Sequence, residues 1–280
     1  MNADPFESLR DDGAPVSPRP EFASQLRRLI EAELRPPTAS VGRPQGPVGT
    51  ALGGPSWLYY FTLPTRDLAR AKRFYGHLFG WTFEDNPDGT GTHVADVQPP
   101  MGIGTDLGAH PMLWFVVADV EAVVERIGEL GGRADPPVDH ESGRAADCFD
   151  DQGVAFSVTV PTYDTAPVPS SRPGELFYFS IPAADRSRSE RFFGELFGWE
   201  FDAPGAAGGA HVANVQPDGG LSPGPELHPS LWFRVADLDD AMATVVVLGG
   251  SAEPAGEGPE GRHAVCTDDQ GVRFGISQPT

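Results

Sequence analysis

The chain has 280 residues, of which 39% are hydrophobic, 34 are glycine and 29 are proline, so we expect a globular but loop-rich protein. Its net charge of −20 would repel the phosphate backbone of nucleic acids and argues against them as partners. No apolar run is long enough to span a membrane, and the acidic start lacks the apolar segment of a secretion signal, so we expect a cytoplasmic location without membrane contact.

Residues 1–56 differ in character from the rest of the chain. Apolar residues recur at helical spacing between about residues 21 and 35, which predicts an amphipathic helix. Residues 36–54 are rich in proline and glycine and predict a tether. A helix this short is marginal in isolation. We therefore expect it to dock either on the chain's own domains or on a partner, which includes a second copy of the chain.

The next segment predicts a β-α-β-β-β module. Tyr59–Pro64 alternates and is rich in β-forming residues, which is typical of a strand. Asp67 follows where a helix N-cap accepts free backbone amides, and Gly80 follows the last helical residue. Short strands are expected within the sequences WTFED and THVADVQ and near Ile103.

A second module of the same kind follows directly. It begins with a strand at Leu113–Val117 and a helix at Val120–Leu130. It closes with strands at Ala146–Phe149 and Val154–Val160 around an Asp-Asp-Gln-Gly turn. The pair of modules should therefore build one domain.

The sequence of this pair of modules is then repeated. Residues 58–162 align with residues 176–280 without a gap, so that RFYGHLFGW matches RFFGELFGW and DDQGV matches DDQGV. A repeat of this length indicates a duplicated domain, because solenoid repeats are much shorter, about 20–50 residues. We predict domains at residues 57–162 and 175–280, joined by a Pro/Ser-containing linker at residues 163–174.

The motif RFYGHLFGW after a strand, together with the closing DDQGVAF, resembles the vicinal oxygen chelate superfamily. That superfamily includes glyoxalase I, bleomycin resistance proteins and extradiol dioxygenases, and the resemblance is closest to two-domain glyoxalase-like proteins of actinobacteria. The resemblance covers everything after residue 56 and implies an α+β fold of tandem domains. In each domain, two β-α-β-β-β modules would form a cupped mixed sheet. Because one fold hosts many chemistries, the resemblance implies the fold more strongly than the function.

Enzymes of that superfamily hold a divalent metal ion in the cup through His, Gln and Glu side chains of the first and last strands. Matching the motif residue by residue places Tyr60, Met112, Tyr178 and Ser230 at the first-strand positions and Ser157 and Gly275 at the last-strand position. None of these is a histidine or a glutamate. We therefore expect no metal ion at the inherited positions and no cofactor.

Two pairs of histidines occupy equivalent positions in the two copies, namely His93 with His211 and His110 with His228. They are the fallback ligands for a shifted metal site or candidates for a general base. The alternative is that they hold a strand end or the interface between the domains. Cys148 and Cys266 lie in apolar strand context and are expected to be small core residues rather than nucleophiles.

Strand alternation predicts which side chains face the cup. Tyr59, Phe61 and Leu63 should lie beneath the helix, which turns the other side chains of the strand toward the cup. The predicted ligand-binding residues are Tyr60, Thr62, Met112, Trp114 and Ser157 in the first domain, and Tyr178, Ser180, Ser230, Trp232 and Arg234 in the second. Such a cup suits a flat, mostly apolar molecule, and Arg234 would favour an anion in the second cup. The alternative is that the aromatic residues simply fill the cups.

Two functions follow from these patterns. The first is metal-independent binding of a small, mostly apolar or aromatic metabolite, as in sequestration or resistance. The second is an enzyme of the glyoxalase, lyase, isomerase or dioxygenase type that uses residues other than those of the family, or a shifted metal site. Loss of the family's ligand residues from both copies favours binding.

Overall fold

The computed structural model describes residues 57–105, 109–140, 142–162, 166, 172–203, 208–224, 226–258 and 261–279. The predicted N-terminal helix and tether lie outside these residues. The helices are α1 (Leu68–Phe79), α2 (Val120–Glu129), α3 (Arg186–Phe197) and α4 (Leu238–Val247). The strands are β1 (Leu58–Pro64), β2 (Phe83–Asp85), β3 (Gly91–Val94), β4 (Met101–Gly104), β5 (Met112–Val116), β6 (Arg133–Ala134), β7 (Val138–His140), β8 (Gly143–Phe149), β9 (Ala155–Pro161), β10 (Leu176–Ala183), β11 (Ala210–Val212), β12 (Asp218–Pro223), β13 (Ser230–Arg234), β14 (Ser251–Ala252), β15 (Gly256–Gly258), β16 (Gly261–Thr267) and β17 (Arg273–Gln278). None of the helices in the described residues has the length and apolar character needed to cross a membrane.

Each helix begins at an aspartate that caps it. The side chain of Asp67 accepts a hydrogen bond from the backbone amide of Arg70, and the aspartates before the other three helices do the same. Helices α1 and α3 end at Gly80 and Gly198, which adopt the left-handed conformation with φ of 72° and 68°. The helix starts and stops predicted for α1 are thereby confirmed.

The strands form two mixed sheets, one for each copy of the repeat. The first sheet has the order β2-β3-β4-β1-β5-β9-β8-β6, with β7 added to β8. The second has the order β11-β12-β10-β13-β17-β16-β14, with β15 added to β16. In each sheet, the first strands of the two modules pair antiparallel at the centre. The predicted tandem α+β architecture of paired modules is confirmed, while the small extra strands β7 and β15 were not predicted.

The core lies on the helix-covered face of each sheet. Phe61 and Leu63 belong to it as predicted, but Tyr59 does not, so the prediction for Tyr59 is wrong. A bulge between Leu58 and Tyr60 shifts the alternation by one residue, and Leu58 takes the place beneath the helix.

The two domains share this core. The ring of Phe79 in α1 lies 5.1 Å from that of Phe233 in the second sheet. The ring of Phe197 in α3 lies 5.3 Å from that of Phe115 in the first sheet. The first helix of each domain therefore packs against the sheet of the other, and one continuous cluster of buried residues includes both.

The two Asp-Asp-Gln-Gly turns form hydrogen bonds between the domains at the rim of this core. Gln270 accepts a hydrogen bond from the Asp67 amide at 2.8 Å and donates one to the Asp67 carbonyl at 3.1 Å. Gln152 makes the same two bonds to Asp185, at 2.6 and 3.0 Å. Each turn thus satisfies backbone groups at the helix start of the other domain, which gives the repeated DDQGV motif an interface role.

One polar contact of this interface, made by Tyr75, has no counterpart in the other half. The hydroxyl of Tyr75 donates to Oδ2 of Asp268 at 3.0 Å, whereas Phe193 occupies the equivalent position in α3. Correspondingly, Oδ2 of Asp150 is buried without a hydrogen-bond partner in the described part of the chain. Burial and then the charge of Asp268 raise the pKa of Tyr75 well above its usual value.

The raised pKa of Tyr75 predicts an alkaline limit to stability. The folded state holds the phenolic proton more tightly than the unfolded chain, so this contribution is fully present below pH 10 and is lost as the pH rises above it. For one proton the expected slope is about 1.4 kcal/mol per pH unit. Urea unfolding between pH 10 and 11 should show this slope in the wild type and a smaller one in Tyr75→Phe. Equal slopes would contradict the assignment.

The reciprocal variant provides the matched control. Phe193→Tyr supplies a donor to the unsatisfied oxygen of Asp150 and should stabilise the protein by about 1 kcal/mol at neutral pH. It should also steepen the loss of stability above pH 10.

Candidate ligand-binding site

The sheet face opposite the core carries the predicted site residues, and we call it the first cup in residues 57–162 and the second cup in residues 175–280. In the first cup, Trp114 pairs with Tyr60 on one side and with Ser157 on the other. Thr62 pairs with Met112 and with Gly102, and Gly102 pairs with His93. The sheet register therefore brings these residues together in two neighbouring rows.

The first cup is closely packed. Tyr60 and Trp114 are 1% and 5% exposed, and Thr62 and Ser157 are fully buried. Ser157 donates its hydroxyl to Oδ1 of Asp147 at 2.7 Å. The hydroxyl of Thr62 and the indole N–H of Trp114 have no hydrogen-bond partner within the described residues. In this cup the aromatic side chains mainly fill space.

A polar cavity of about 330 Å³ lies at the edge of the first cup. Tyr60 and His93 line it, and the phenolic oxygen lies 3.2 Å from Nδ1 of His93. Glu84 and Asp96, both exposed, contribute carboxylates, and Asp96 holds a left-handed backbone with φ of 58°. A phenol and an imidazole in contact can transfer a proton.

The second cup is open. It contains a cavity of about 230 Å³ lined by Phe177, Tyr178, Trp232, Gly258, Gly261, His263 and Ser277. The Trp232 ring packs edge-on against His263, with 5.8 Å between the ring centroids. Tyr178, Trp232 and His263 are half-buried, so their rings remain accessible. Ser180 and Ser230 pair with each other across the next row.

Residue 275 contributes to the difference between the cups. Gly275 pairs with Trp232 where Ser157 pairs with Trp114. A Cβ atom at position 275 would overlap the indole of Trp232, so only glycine lets this ring lie flat on the strand. The indole then forms a wall of the cavity.

Comparisons with known proteins agree with this architecture. Residues 57–158 match the family described as the Glyoxalase/Bleomycin resistance protein/Dioxygenase superfamily, and residues 178–277 match the family described as Glyoxalase-like domain. The chain belongs to the glyoxalase superfamily. The resemblance read from RFYGHLFGW and DDQGVAF is confirmed.

Relatives and solved structures of the superfamily align over most of the chain. CFP32 of Mycobacterium tuberculosis, which carries a provisional glyoxylase name, is 27% identical over 81% of this chain and 95% of its own. The anthracycline biosynthesis protein DnrV of Streptomyces peucetius is 27% identical over 81% of this chain and 93% of its own. Homoprotocatechuate 2,3-dioxygenase of Arthrobacter globiformis superposes with a TM-score of 0.62, at 16% identity over 83% of this chain and 82% of that one. The Mn(II)-bound glyoxalase of Novosphingobium aromaticivorans superposes with a TM-score of 0.58, at 14% identity over 79% and 81%.

The residues at the metal-binding positions of the superfamily do not fit a divalent ion. Tyr60 is hydrogen-bonded to His93, Ser157 donates to Asp147, and Met112 offers only a thioether. Divalent ions of this class bind imidazole and carboxylate groups. Within the described residues, no group of three or more His, Cys, Asp or Glu side chains is arranged to hold a metal ion.

The four fallback histidines divide by their contacts. His93 contacts Tyr60, and His211 stacks on Tyr178 with 6.0 Å between ring centroids. His110 and His228 stack on each other across the domain interface. Burial lowers the pKa of both stacked histidines, and the neighbouring His228 lowers that of His110 further. This contact supports the interface interpretation for that pair.

Both cysteines are buried core residues, as predicted. Burial raises the pKa of the Cys148 thiol, and it raises that of Cys266 to about 12. Thiols of this kind stay protonated at neutral pH and are poor nucleophiles.

Five residues that line the second cavity were not predicted from the sequence, namely Phe177, Gly258, Gly261, His263 and Ser277. Strand alternation alone places Phe177 beneath the helix, but a bulge between Leu176 and Tyr178 shifts the alternation, and Phe177 lines the cavity instead. The sequence does contain a signal for His263, namely a difference between the copies, because His263 stands where the first copy has Ala145. A search for residues that both copies share does not find His263.

Removal of metal ions should leave the protein unchanged. Dialysis against EDTA is expected to leave the melting temperature of the full chain within experimental error, because no metal-binding free energy would be lost from the folded state. The check is a thermal melt before and after dialysis. A clear decrease that zinc, nickel, manganese or iron restores would contradict this expectation.

Proposed function

We propose that this protein binds a flat, mostly apolar aromatic metabolite in the second cup without the help of a metal ion. The observation that carries the proposal is the open cavity between Trp232 and Tyr178. Aromatic walls of this kind offer offset and edge-to-face contacts to a planar ring system. His263 and Ser277 supply polar atoms at the same cavity, which suits one or two orienting hydrogen bonds.

The size of the cavity limits the ligand. Its volume of about 230 Å³ is below the range of roughly 300–1,000 Å³ that is usual for drug-sized ligands. A ligand of two or three fused rings fits this space, and a larger molecule would insert only one end. The open mouth allows either arrangement.

The names of relatives support a ligand of this class. DnrV is named for the biosynthesis of anthracyclines, which contain fused planar rings, and the matched superfamily includes proteins named for bleomycin resistance. Both names concern organic natural products. Sequestration or handling of such a compound is the function that best agrees with the second cup.

A second candidate function is catalysis at the edge of the first cup. The contact between Tyr60 and His93 beside a polar cavity favours it, because this pair could act as a general acid or base. The superfamily's glyoxalases and dioxygenases make an enzyme a reasonable alternative. Turnover of the bound compound that His93→Gln abolishes would favour this function over binding alone.

A pair of equivalent variants tests the proposed function. We would titrate the metal-free protein with 2-naphthol, a neutral bicyclic probe, and follow binding by calorimetry. Tyr178→Ala should weaken binding about tenfold, since the phenol ring forms one wall of the cavity. Tyr60→Ala, at the equivalent position of the closed cup, should leave the affinity unchanged.

The proposal fails if the wild type does not bind bicyclic aromatic probes. It also fails if Tyr178→Ala binds as tightly as the wild type. A thermal melt of each variant shows that it is folded at the temperature of the titration.

A further inference from the structure

We infer that the second cup selects an aromatic carboxylate, a planar ring system with one negative charge at its edge, and that Arg234 binds the charged group. This inference rests on the proposed function and names the ligand class of the same site. It is carried by the position and the contacts of Arg234.

Arg234 lies in the row of the second cup next to that of Trp232 and Tyr178. It pairs with Ser277, and Ser277 pairs with His263, so the three residues follow one another across β13, β17 and β16. Ser277 and His263 both line the cavity. The guanidinium group lies 5.0 Å from the ring centre of Phe177, another lining residue. The row therefore brings a cation to one side of an aromatic cavity.

The guanidinium group of Arg234 lacks an anionic partner in the described part of the chain. Its Nε–H is buried without a hydrogen-bond acceptor there. Ten of the thirteen arginines in the described residues form ion pairs with carboxylates, whereas Arg234, like Arg66 and Arg133, forms none. The chain has 40 acidic residues, so carboxylates are abundant as partners. An arginine that pairs with none of them and lies beside a cavity therefore indicates a binding site for an anion from outside the chain.

The chemistry of the site favours a carboxylate over a phosphate. The described residues that line the cavity include no acidic side chain, so a bound carboxylate would meet no like charge there. A guanidinium fork matches a carboxylate through two parallel hydrogen bonds. One arginine balances one negative charge, and the net charge of −20 of the chain would disfavour a dianion.

The first domain shows that this cation belongs to the second cup alone. Val116 and Ala145 stand where the second domain has Arg234 and His263. The first cup therefore lacks this cation and has no imidazole at the position of His263. This difference supplies the design of the matched variant Arg234→Val, which installs the residue of the chain's own first copy.

The test compares two probes of nearly the same shape, 2-naphthoate and its uncharged methyl ester. The wild type should bind 2-naphthoate at least tenfold more tightly than the ester, because a hydrogen bond to a charged group is stronger than one to a neutral group. Arg234→Val should weaken binding of 2-naphthoate at least tenfold and leave binding of the ester unchanged. Added salt should weaken binding of the naphthoate only.

The possible failures are distinguishable. Equal affinities of the two probes for the wild type, or equal losses in Arg234→Val, would overturn the inference about charge and leave the aromatic site standing. If neither probe binds the wild type, the proposed function fails as well. Arg234→Gln, which keeps the length and polarity of the side chain, should give the same loss for 2-naphthoate if Arg234→Val proves unstable.

Discussion

Replacing Phe274 with alanine is expected to destabilise both domains together, by about 3–5 kcal/mol. Phe274 belongs to the last strand of the second domain and is 2% exposed. Its ring contacts three rings of α1 in the first domain, namely those of Phe74, Tyr75 and Phe79, at centroid distances of 6.2, 5.8 and 6.1 Å. Truncation would leave a cavity among rigid rings that cannot easily collapse into it.

Urea unfolding followed by tryptophan fluorescence and far-ultraviolet circular dichroism measures this effect. Both signals should change in one coincident transition, shifted to lower urea in the variant. Phe156→Ala, at the equivalent position of the first domain, should give a similar loss, because Phe156 contacts Phe192, Phe193 and Phe197 of α3. Val247→Ala, at a position that is 84% exposed, should change stability by less than about 0.5 kcal/mol. Two separate transitions, of which only one shifts, would contradict the shared core.

Gly275→Ser is expected to reduce binding of an aromatic probe to the second cup by about a hundredfold or more, which corresponds to about 2.7 kcal/mol. The added Cβ atom would displace the indole of Trp232 from the strand and thereby remove one wall of the cavity. Serine is a mild choice, because Ser157 occupies the equivalent position of the first domain and is tolerated there.

Calorimetric titration with 2-naphthol would measure the effect, alongside a thermal melt to show that the variant is folded. The reciprocal variant Ser157→Gly alters only the closed cup and should leave the affinity of the second cup unchanged. A folded Gly275→Ser protein with wild-type affinity would show that the position of the Trp232 ring does not form the site.

Much of the fold could be predicted because its signals are local. Asp67 and Gly80 mark the start and the stop of α1 through hydrogen bonds and backbone conformations that a few adjacent residues determine. The gapless repeat then extends most assignments in the first domain to the second, although β2 is reduced there to a single bridge between Phe201 and Val212. The turn residues Asp150 to Gly153 were also recognisable as a turn.

The interface role of the same turn was not predictable in this way. Gln152 bonds to Asp185 in the other domain, and Gln270 bonds to Asp67, over separations along the chain that local patterns do not report. The two bulges in the central strands are similar cases, because a bulge depends on the partner strand. Because of these bulges, strand alternation predicts the wrong position for Tyr59 and does not predict that Phe177 lines the cavity.

Only part of the candidate site follows from the sequence: the predicted residues Tyr178 and Trp232 line the second cavity, whereas its shape and its other lining residues were not predicted. Tyr60 and Tyr178 occupy equivalent positions of the repeat, yet Tyr60 is 1% exposed at the edge of a polar cavity and Tyr178 lines an open aromatic cavity. One source of the difference is the space that Gly275 leaves for the ring of Trp232, which is a packing property. Gly275 and Ser157 lie beside these tryptophans on neighbouring strands, a contact that local sequence patterns do not report.

The most direct test of the proposed site is a crystal structure of the protein soaked with 2-naphthoate. The account predicts density for the ring system in the second cup, in contact with Trp232 and Tyr178, with the carboxylate directed to Arg234. It also predicts no such density against Trp114 in the first cup and no metal ion in either cup. Density for the probe beside Tyr60 and His93, or a ring held by a metal ion, would contradict it.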